Sequence, residues 1–170
     1  MSKILITGTS KGIGYDAALC LARNGHEVVA TMRNPNNSDL SEVASKESLN
    51  IDIQALDVDD IDSVKEVFDK VGAIDVLINN AGVFVDHPIE ATTYEQWQDA
   101  WAQTIGINLI GAANISWCAL QHMPKNGTSR IVNIGSRGAF RGEPLSPAYG
   151  ASKAAIVAFG QSIAKALAPM

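Results

Sequence analysis

Cysteine, histidine, aromatic residues and net positive charge are all scarce in this chain, and each scarcity excludes a class of protein. Two cysteines, Cys20 and Cys118, in 170 residues cannot build a disulfide framework. Both fall in apolar stretches of helical type, so both read as small buried hydrophobes in a reducing compartment. Three histidines, His26, His87 and His122, are scattered without ligand spacing, and no metal site is expected. Lysine and arginine number 13 against 18 for Asp and Glu; the resulting net charge of −5 argues against nucleic acid as the main partner. No apolar run approaches the roughly 20 residues of a membrane-spanning helix, so no membrane partner is expected. The N-terminus enters a strand almost at once, which leaves no room for a signal peptide and points to a cytoplasmic location.

What is present suits a packed α/β core. The hydrophobic fraction is 46% and the charged fraction 18%, and 170 residues suffice for one domain spanning 1–170. Strand and helix patterns alternate. Strands are expected at 3–7, 27–31, 51–56, 74–79 and 130–135, and helices near 13–24, 38–47, 60–71, 97–122 and 147–168. Asp59 or Asp60 is placed to cap the third helix. Most strands are near-continuous apolar runs, as in Val28-Val29-Ala30, Val76-Leu77-Ile78 and Ile131-Val132. That pattern fits a parallel sheet covered on both faces. Residues 124–129 and 135–146 read as loops.

The first strand runs into Thr7-Gly8-Thr9-Ser10-Lys11-Gly12-Ile13-Gly14, and a helical pattern follows that stops at Asn24-Gly25. Glycines allow a tight turn, close backbone approach to a pyrophosphate and close packing of helix on strand. The unpaired N–H groups at the helix start would face the phosphates. Far downstream, Tyr149 and Lys153 lie four residues apart, and Ser136 precedes the tyrosine by thirteen. Ser146 and Pro147 suit the N-cap and first turn of a helix that puts Tyr149 and Lys153 on one face. A phenol has an ordinary pKa of about 10, and a nearby ammonium favours its ionised form. The pair is suited to moving a proton at a carbonyl or alcohol carbon.

Thr7-Gly8-x-x-x-Gly12-Ile13-Gly14, Asn79-Asn80-Ala81-Gly82, Asn108, Ser136 and Tyr149-x-x-x-Lys153, in this order and at these separations, resemble the short-chain dehydrogenase/reductase family from residue 3 onward. The three residues between Gly8 and Gly12 match its shorter oxidoreductase branch. The resemblance implies a Rossmann-type doubly wound parallel sheet in three α/β/α layers. It also implies hydride transfer between a nicotinamide cofactor and a small carbonyl or alcohol substrate. Ser136 would orient the substrate oxygen and Tyr149 would act as general acid or base. Lys153 would lower the tyrosine pKa and bond the nicotinamide ribose, and Asn108 would hold a water that links the lysine to solvent. Asn108 also reads as a polar residue that kinks its helix and bonds backbone.

The cofactor contacts implied are Gly8, Ser10, Lys11, Gly12, Ile13, Gly14, Arg33, Asp57, Val58, Asn80, Ala81 and Gly82, with Tyr149 and Lys153. After the second strand, Ala30-Thr31-Met32-Arg33-Asn34-Pro35 carries no carboxylate to bond a ribose 2′-hydroxyl. Arg33 could instead clamp a 2′-phosphate, with Lys11 in reach of the same group. The pair favours NADP(H) over NAD(H), although each residue alone reads equally as a solvated surface charge. Asp57 reads either as the acid that contacts adenine or as a helix cap. Apolar and small residues on the helices at 97–122 and 147–168 (Ala148, Ala151, Ala154, Ala155, Ala158) imply a homodimer or homotetramer. In the family, two strands and a substrate segment follow the tyrosine helix, which here reaches Ala166-Leu167-Ala168-Pro169-Met170. The fifth strand is therefore expected at a free sheet edge, and a cofactor-binding or assembly protein without catalysis is the alternative to an enzyme.

Overall fold

A computed structural model describes residues 1–168; the expected end of the chain at Pro169 and Met170 lies outside the described residues. Five strands form one sheet: β1 (Lys3–Thr7), β2 (Glu27–Met32), β3 (Ile51–Ala55), β4 (Val76–Asn79) and β5 (Arg130–Asn133). Their spatial order is β3-β2-β1-β4-β5 and all pairings are parallel. Between the strands run α1 (Gly12–Arg23), α2 (Leu40–Lys46), α3 (Ile61–Val71), α4 (Tyr94–Ile105) and α5 (Ala112–His122), and after β5 come the single turn α6 (Gly138–Arg141) and α7 (Pro147–Leu167). This is the Rossmann-type doubly wound arrangement. Strand order reverses between β1 and β4, where the carboxyl ends of the strands leave a ligand crevice.

Side-chain alternation along the strands divides the core between the two faces. Leu5, Val29 and Leu77 point to one side, where they meet Val64, Val67, Phe68 and Ile115. Ile4, Ile6, Val28 and Ala30 point to the other, against Ala18, Leu19, Ala22 and Leu40. Val64, Val67, Phe68 and Val71 recur at helical spacing, which makes α3 amphipathic and seats it on the sheet. Asp60 caps α3, its carboxylate accepting from the amides of Asp62 and Ser63. Burial of each such Val or Phe contributes roughly 1.5–3 kcal/mol, far more than any surface ion pair here.

Several expectations need correction. The helix expected at 97–122 starts at Tyr94, because Thr93 and Gln96 form a reciprocal capping box. It is also not α-helical throughout: Gly106–Gly111 is a π-helical segment between α4 and α5. The helix expected at 38–47 is α2, shorter at both ends (Leu40–Lys46), and a 3₁₀ turn at Pro35–Asn37 precedes it. The loop expected at 135–146 contains α6. Cys20 is exposed on α1, and only Cys118 is buried. β5 is shorter than 130–135, and its outer face is only half covered, with Val132 43% exposed. Among the described residues β5 has β4 on one side and no strand on the other.

Candidate functional site

The glycine turn and the turn after β4 are locked together at the switch point. Thr7 Oγ1 accepts from the amides of Asn80 and Ala81, at 3.0 and 2.9 Å. Asn80 Nδ2 returns two bonds, to the carbonyls of Thr7 and Gly8, both at 2.9 Å. The backbones approach so closely that two glycines cannot be replaced. A methyl group on Gly14 would collide with the Gly8 carbonyl oxygen, and one on Gly8 would come within 2.8 Å of Ala81 Cα. Gly8 also has φ of 72°, in the left-handed region. The β2 end is tied in by Thr9, whose amide and hydroxyl both donate to the Thr31 carbonyl.

A cleft of about 560 Å³ opens above this junction. Its lining includes Gly8, Ser10, Lys11, Ile13, Arg33, Asp57, Val58, Asn80, Ala81 and Gly82, which are ten of the residues the sequence marks for a cofactor. The volume lies within the roughly 300–1,000 Å³ typical of ligand clefts. Lys11 and Arg33 are exposed on it, and among the described residues neither forms an ion pair. Asp57 is not a helix cap, since Asp60 takes that task; among the described residues its carboxylate accepts only from the Asp59 amide, at 3.2 Å. Phosphate-sized anions suit such a site: a positive rim, a glycine turn and the start of α1.

The catalytic candidates adjoin the inner end of the cleft. Lys153, 6% exposed on α7, donates from Nζ to the Ile134 carbonyl at 2.8 Å. Its Nζ lies 5.7 Å from the centre of the Tyr149 ring. Burial pushes its ammonium below the usual lysine range. Gly82 faces the same group, because a methyl there would meet Asn108 Oδ1 at 3.2 Å and Lys153 Nζ at 3.7 Å. Asn108 is 2% exposed in the π-helical segment. Its Oδ1 accepts from the Val83 amide at 2.8 Å, and its Nδ2 donates to the Val83 carbonyl and to Ser152 Oγ. These bonds to the Val83 backbone match the reading of Asn108 as a polar residue that bonds backbone. Ser152 Oγ in turn donates to the Tyr149 carbonyl.

Ser136 lies three residues beyond β5, and its Oγ accepts from the Gly138 amide at 3.2 Å as α6 begins. α6 packs on α7 at Gly150, where a methyl would stand 3.3 Å from the Gly138 carbonyl. Thus the residues flanking Ser136 and Tyr149 touch, and Lys153 ties α7 to the strand end that leads to Ser136. Ser146 holds the N-cap position of α7 but makes no side-chain cap. Three participants were not foreseen. Phe84 lines the cleft and packs its ring 4.7 Å from that of Tyr149. Val83 supplies the backbone that Asn108 clamps. His87, buried at 2% exposure, bonds the start of α7. Their signals lie in tertiary contacts, not in spacing along the chain. Among the described residues no group of acidic, histidine and cysteine side chains could hold a metal ion.

Comparison with known proteins agrees with this geometry. The chain is 36% identical over 170 residues to a 3-oxoacyl-acyl-carrier-protein reductase of Thermotoga maritima, an alignment that covers 96% of this chain and 67% of that protein. It is 31% identical to a 3-ketodihydrosphingosine reductase of Bacteroides thetaiotaomicron, covering 98% and 58%. Among solved structures, a gluconate 5-dehydrogenase from Burkholderia cenocepacia, in complex with NADP and tartrate, superposes with a TM-score of 0.85 at 30% identity. That superposition covers 98% of this chain and 66% of the other. The chain thus spans about two thirds of the length of the first and third of these relatives and 58% of the second. The family model described as short chain dehydrogenase matches residues 2–170. A parallel sheet that opens its crevice between β1 and β4, with a lysine and a tyrosine beside it, therefore has its place: the chain belongs to the short chain dehydrogenase family.

Proposed function

We propose that this protein is an oxidoreductase that carries out reversible hydride transfer between NADP(H) and a small carbonyl or alcohol substrate. The observation that supports it best is the pairing at the inner end of the cleft. Tyr149 and buried Lys153 share one turn of α7, and Gly82 and Phe84 connect them to the cofactor residues. The cofactor would lie along Gly8, Ser10, Lys11, Ile13, Asp57, Val58, Asn80 and Ala81, with Gly12 and Gly14 shaping the turn beneath it. When bound, its nicotinamide supplies or accepts the hydride.

The chain's own residues handle the proton. Tyr149 donates it to the oxygen of the substrate as a carbonyl is reduced and removes it as an alcohol is oxidised. Ser136 holds that oxygen beside the phenol. Lys153 keeps one hydrogen on Ile134, and its remaining two would bond the nicotinamide ribose while its charge favours the ionised phenol. Asn108 has one lone pair of Oδ1 left for a water. Arg33 and Lys11 select the 2′-phosphate. The substrate class is a ketone or secondary alcohol, and the helices α4, α5 and α7 pair subunits.

Tyr149→Phe tests the chemistry, because it keeps the ring and removes only the oxygen. Carbonyl reduction over a ketone panel falls by about 10²–10⁴-fold, the usual worth of a general acid, while NADPH binding is retained. Near-normal reduction by the variant would sink the assignment. NADPH binding with no reduction by the parent chain on any ketone would favour a cofactor-binding protein without catalysis.

A further inference from the structure

The tyrosine helix takes its cap from a histidine far away in sequence. Ser146, at the N-cap position of α7, makes no side-chain cap; its hydroxyl donates instead to Asp86 Oδ1 at 3.0 Å. The amide of Ala148, in the first turn, donates to His87 Nε2 at 3.2 Å. On the other side of the ring, His87 Nδ1 lies 2.7 Å from the Val85 carbonyl. A carbonyl only accepts, so Nδ1 carries the proton and Nε2 is the free acceptor; one neutral tautomer satisfies both contacts. His87 also donates its own amide to the Leu145 carbonyl at 2.8 Å. Its ring, 2% exposed, is braced edge-on by Trp97 at 5.3 Å.

Residues 85–87 are therefore strapped to 145–148 by three hydrogen bonds: one between backbones, one through Asp86 and one through the imidazole. The same segment carries Phe84, which lines the cleft and touches the Tyr149 ring. It leaves the Gly82 turn and reaches α7 one residue before Tyr149. We infer that His87 is a positioning residue for Tyr149: its buried Nε2 caps the tyrosine helix and holds the phenol in register with the cofactor cleft through the 84–87 strap. The ring is suited to this task because it is a rigid body with a donor on one edge and an acceptor on the other. The catalytic part of this inference rests on the proposed reaction, and the structural part does not.

Two variants separate the two ring nitrogens. His87→Asn keeps a donor where Nδ1 stands and has nothing at the Nε2 position. His87→Gln reaches the Nε2 position and restores an acceptor. Amide exchange in the 170-residue chain is followed by NMR, with Val29 in the core as the reference. Exchange at Ala148 accelerates about tenfold or more in His87→Asn and recovers in His87→Gln, the scale expected for loss of a helix cap. Val29 does not change. In parallel, kcat for ketone reduction falls about tenfold in His87→Asn with KM for NADPH unchanged, and rises again in His87→Gln, because a displaced acid loses rate and not cofactor affinity.

Equal protection of Ala148 in wild type and His87→Asn would overturn the cap. A glutamine variant no better than the asparagine in exchange and in kcat would show that the ring merely fills space. Should both variants unfold, the tautomer of the wild-type ring decides: ¹⁵N shifts with the proton on Nε2 would refute the inference, and with the proton on Nδ1 would support it. If the wild type reduces no ketone at all, the functional reading has failed, and the Ala148 exchange decides the role of His87 by itself.

Discussion

At the scale of single residues, Lys153 carries the largest electrostatic cost in the site. It is buried at 6% exposure, donates to one carbonyl and has no carboxylate partner among the described residues. Burial lowers its pKa in the folded chain. Between that lowered value and the unfolded value of about 10.4, the unfolded chain binds more protons than the native one. The lysine's contribution to stability is thus most favourable above the window, is lost as pH falls through it, and stays lost below. Lys153→Met removes the buried charge, so the variant gains stability near neutral pH, offset in part by the lost bond to the Ile134 carbonyl, while it loses activity. Urea midpoints of parent and variant, measured between neutral and alkaline pH, check this. The difference should shrink as pH rises, because Lys153 loses its charge in both states; Cys118, whose thiol burial pushes up, is common to both chains and cancels. Arg33 is a different case, exposed and without an ion pair among the described residues. If it clamps a 2′-phosphate, a charge-assisted bond contributes roughly 1.5–3 kcal/mol. Arg33→Ala then weakens NADPH by about tenfold or more and changes NADH little. Calorimetric titration of both cofactors decides it, and equal affinities in the parent would refute the preference.

At the scale of elements, the segment α4–π–α5 does two tasks that can be separated. Its start depends on the capping box, so Thr93→Ala costs about 1 kcal/mol of stability and leaves cofactor affinity alone. Its middle depends on glycine. A methyl on Gly111 would lie 2.6 Å from the Val58 carbonyl, and one on Gly106 would lie 2.7 Å from Asp59 Oδ1. The π turn thereby presses directly on the Asp57–Asp59 turn that edges the cleft. Gly111→Ala should cost roughly 1–3 kcal/mol through overpacking and should also weaken NADPH binding. Urea unfolding with and without NADPH distinguishes the two variants. Legibility follows the same division. The glycine turn, the five strands and the Tyr149–Lys153 face depend on residues close in sequence, and those were readable. The π turn was not, because the pattern 97–122 is apolar at helical spacing throughout and nothing local distinguishes a 3.6-residue from a wider turn. Cys20 sits in an apolar run but on the outer side of α1, which only packing reveals. His87 takes its role from an amide 61 residues away, so no spacing rule could expose it.

At the scale of the whole molecule, two apolar surfaces among the described residues compete as a subunit interface. One is the outward face of the long helices. Ile110 is 49% and Trp117 65% exposed, two turns apart, and Ala151, Ala154 and Ala158 are exposed along α7. Ala148, expected on that face, is buried inside the subunit. The other is the groove of about 450 Å³ beside β5, walled by Leu120, Ile131, Ile163 and Leu167. Small residues let helices approach closely, and an exposed tryptophan gives a large contact area at low entropic cost, so the helical face is the better self-complementary surface. A charge placed in an isologous interface is buried twice, because the same patch is used by both subunits. The parent chain is therefore expected to be a dimer or larger by light scattering at micromolar concentration. Trp117→Glu should shift it to monomer without loss of fold, while Ile163→Glu, in the β5 groove, should leave the assembly intact. A monomeric parent chain, or an assembly broken by Ile163→Glu and not by Trp117→Glu, would move the interface from the helices to the sheet edge.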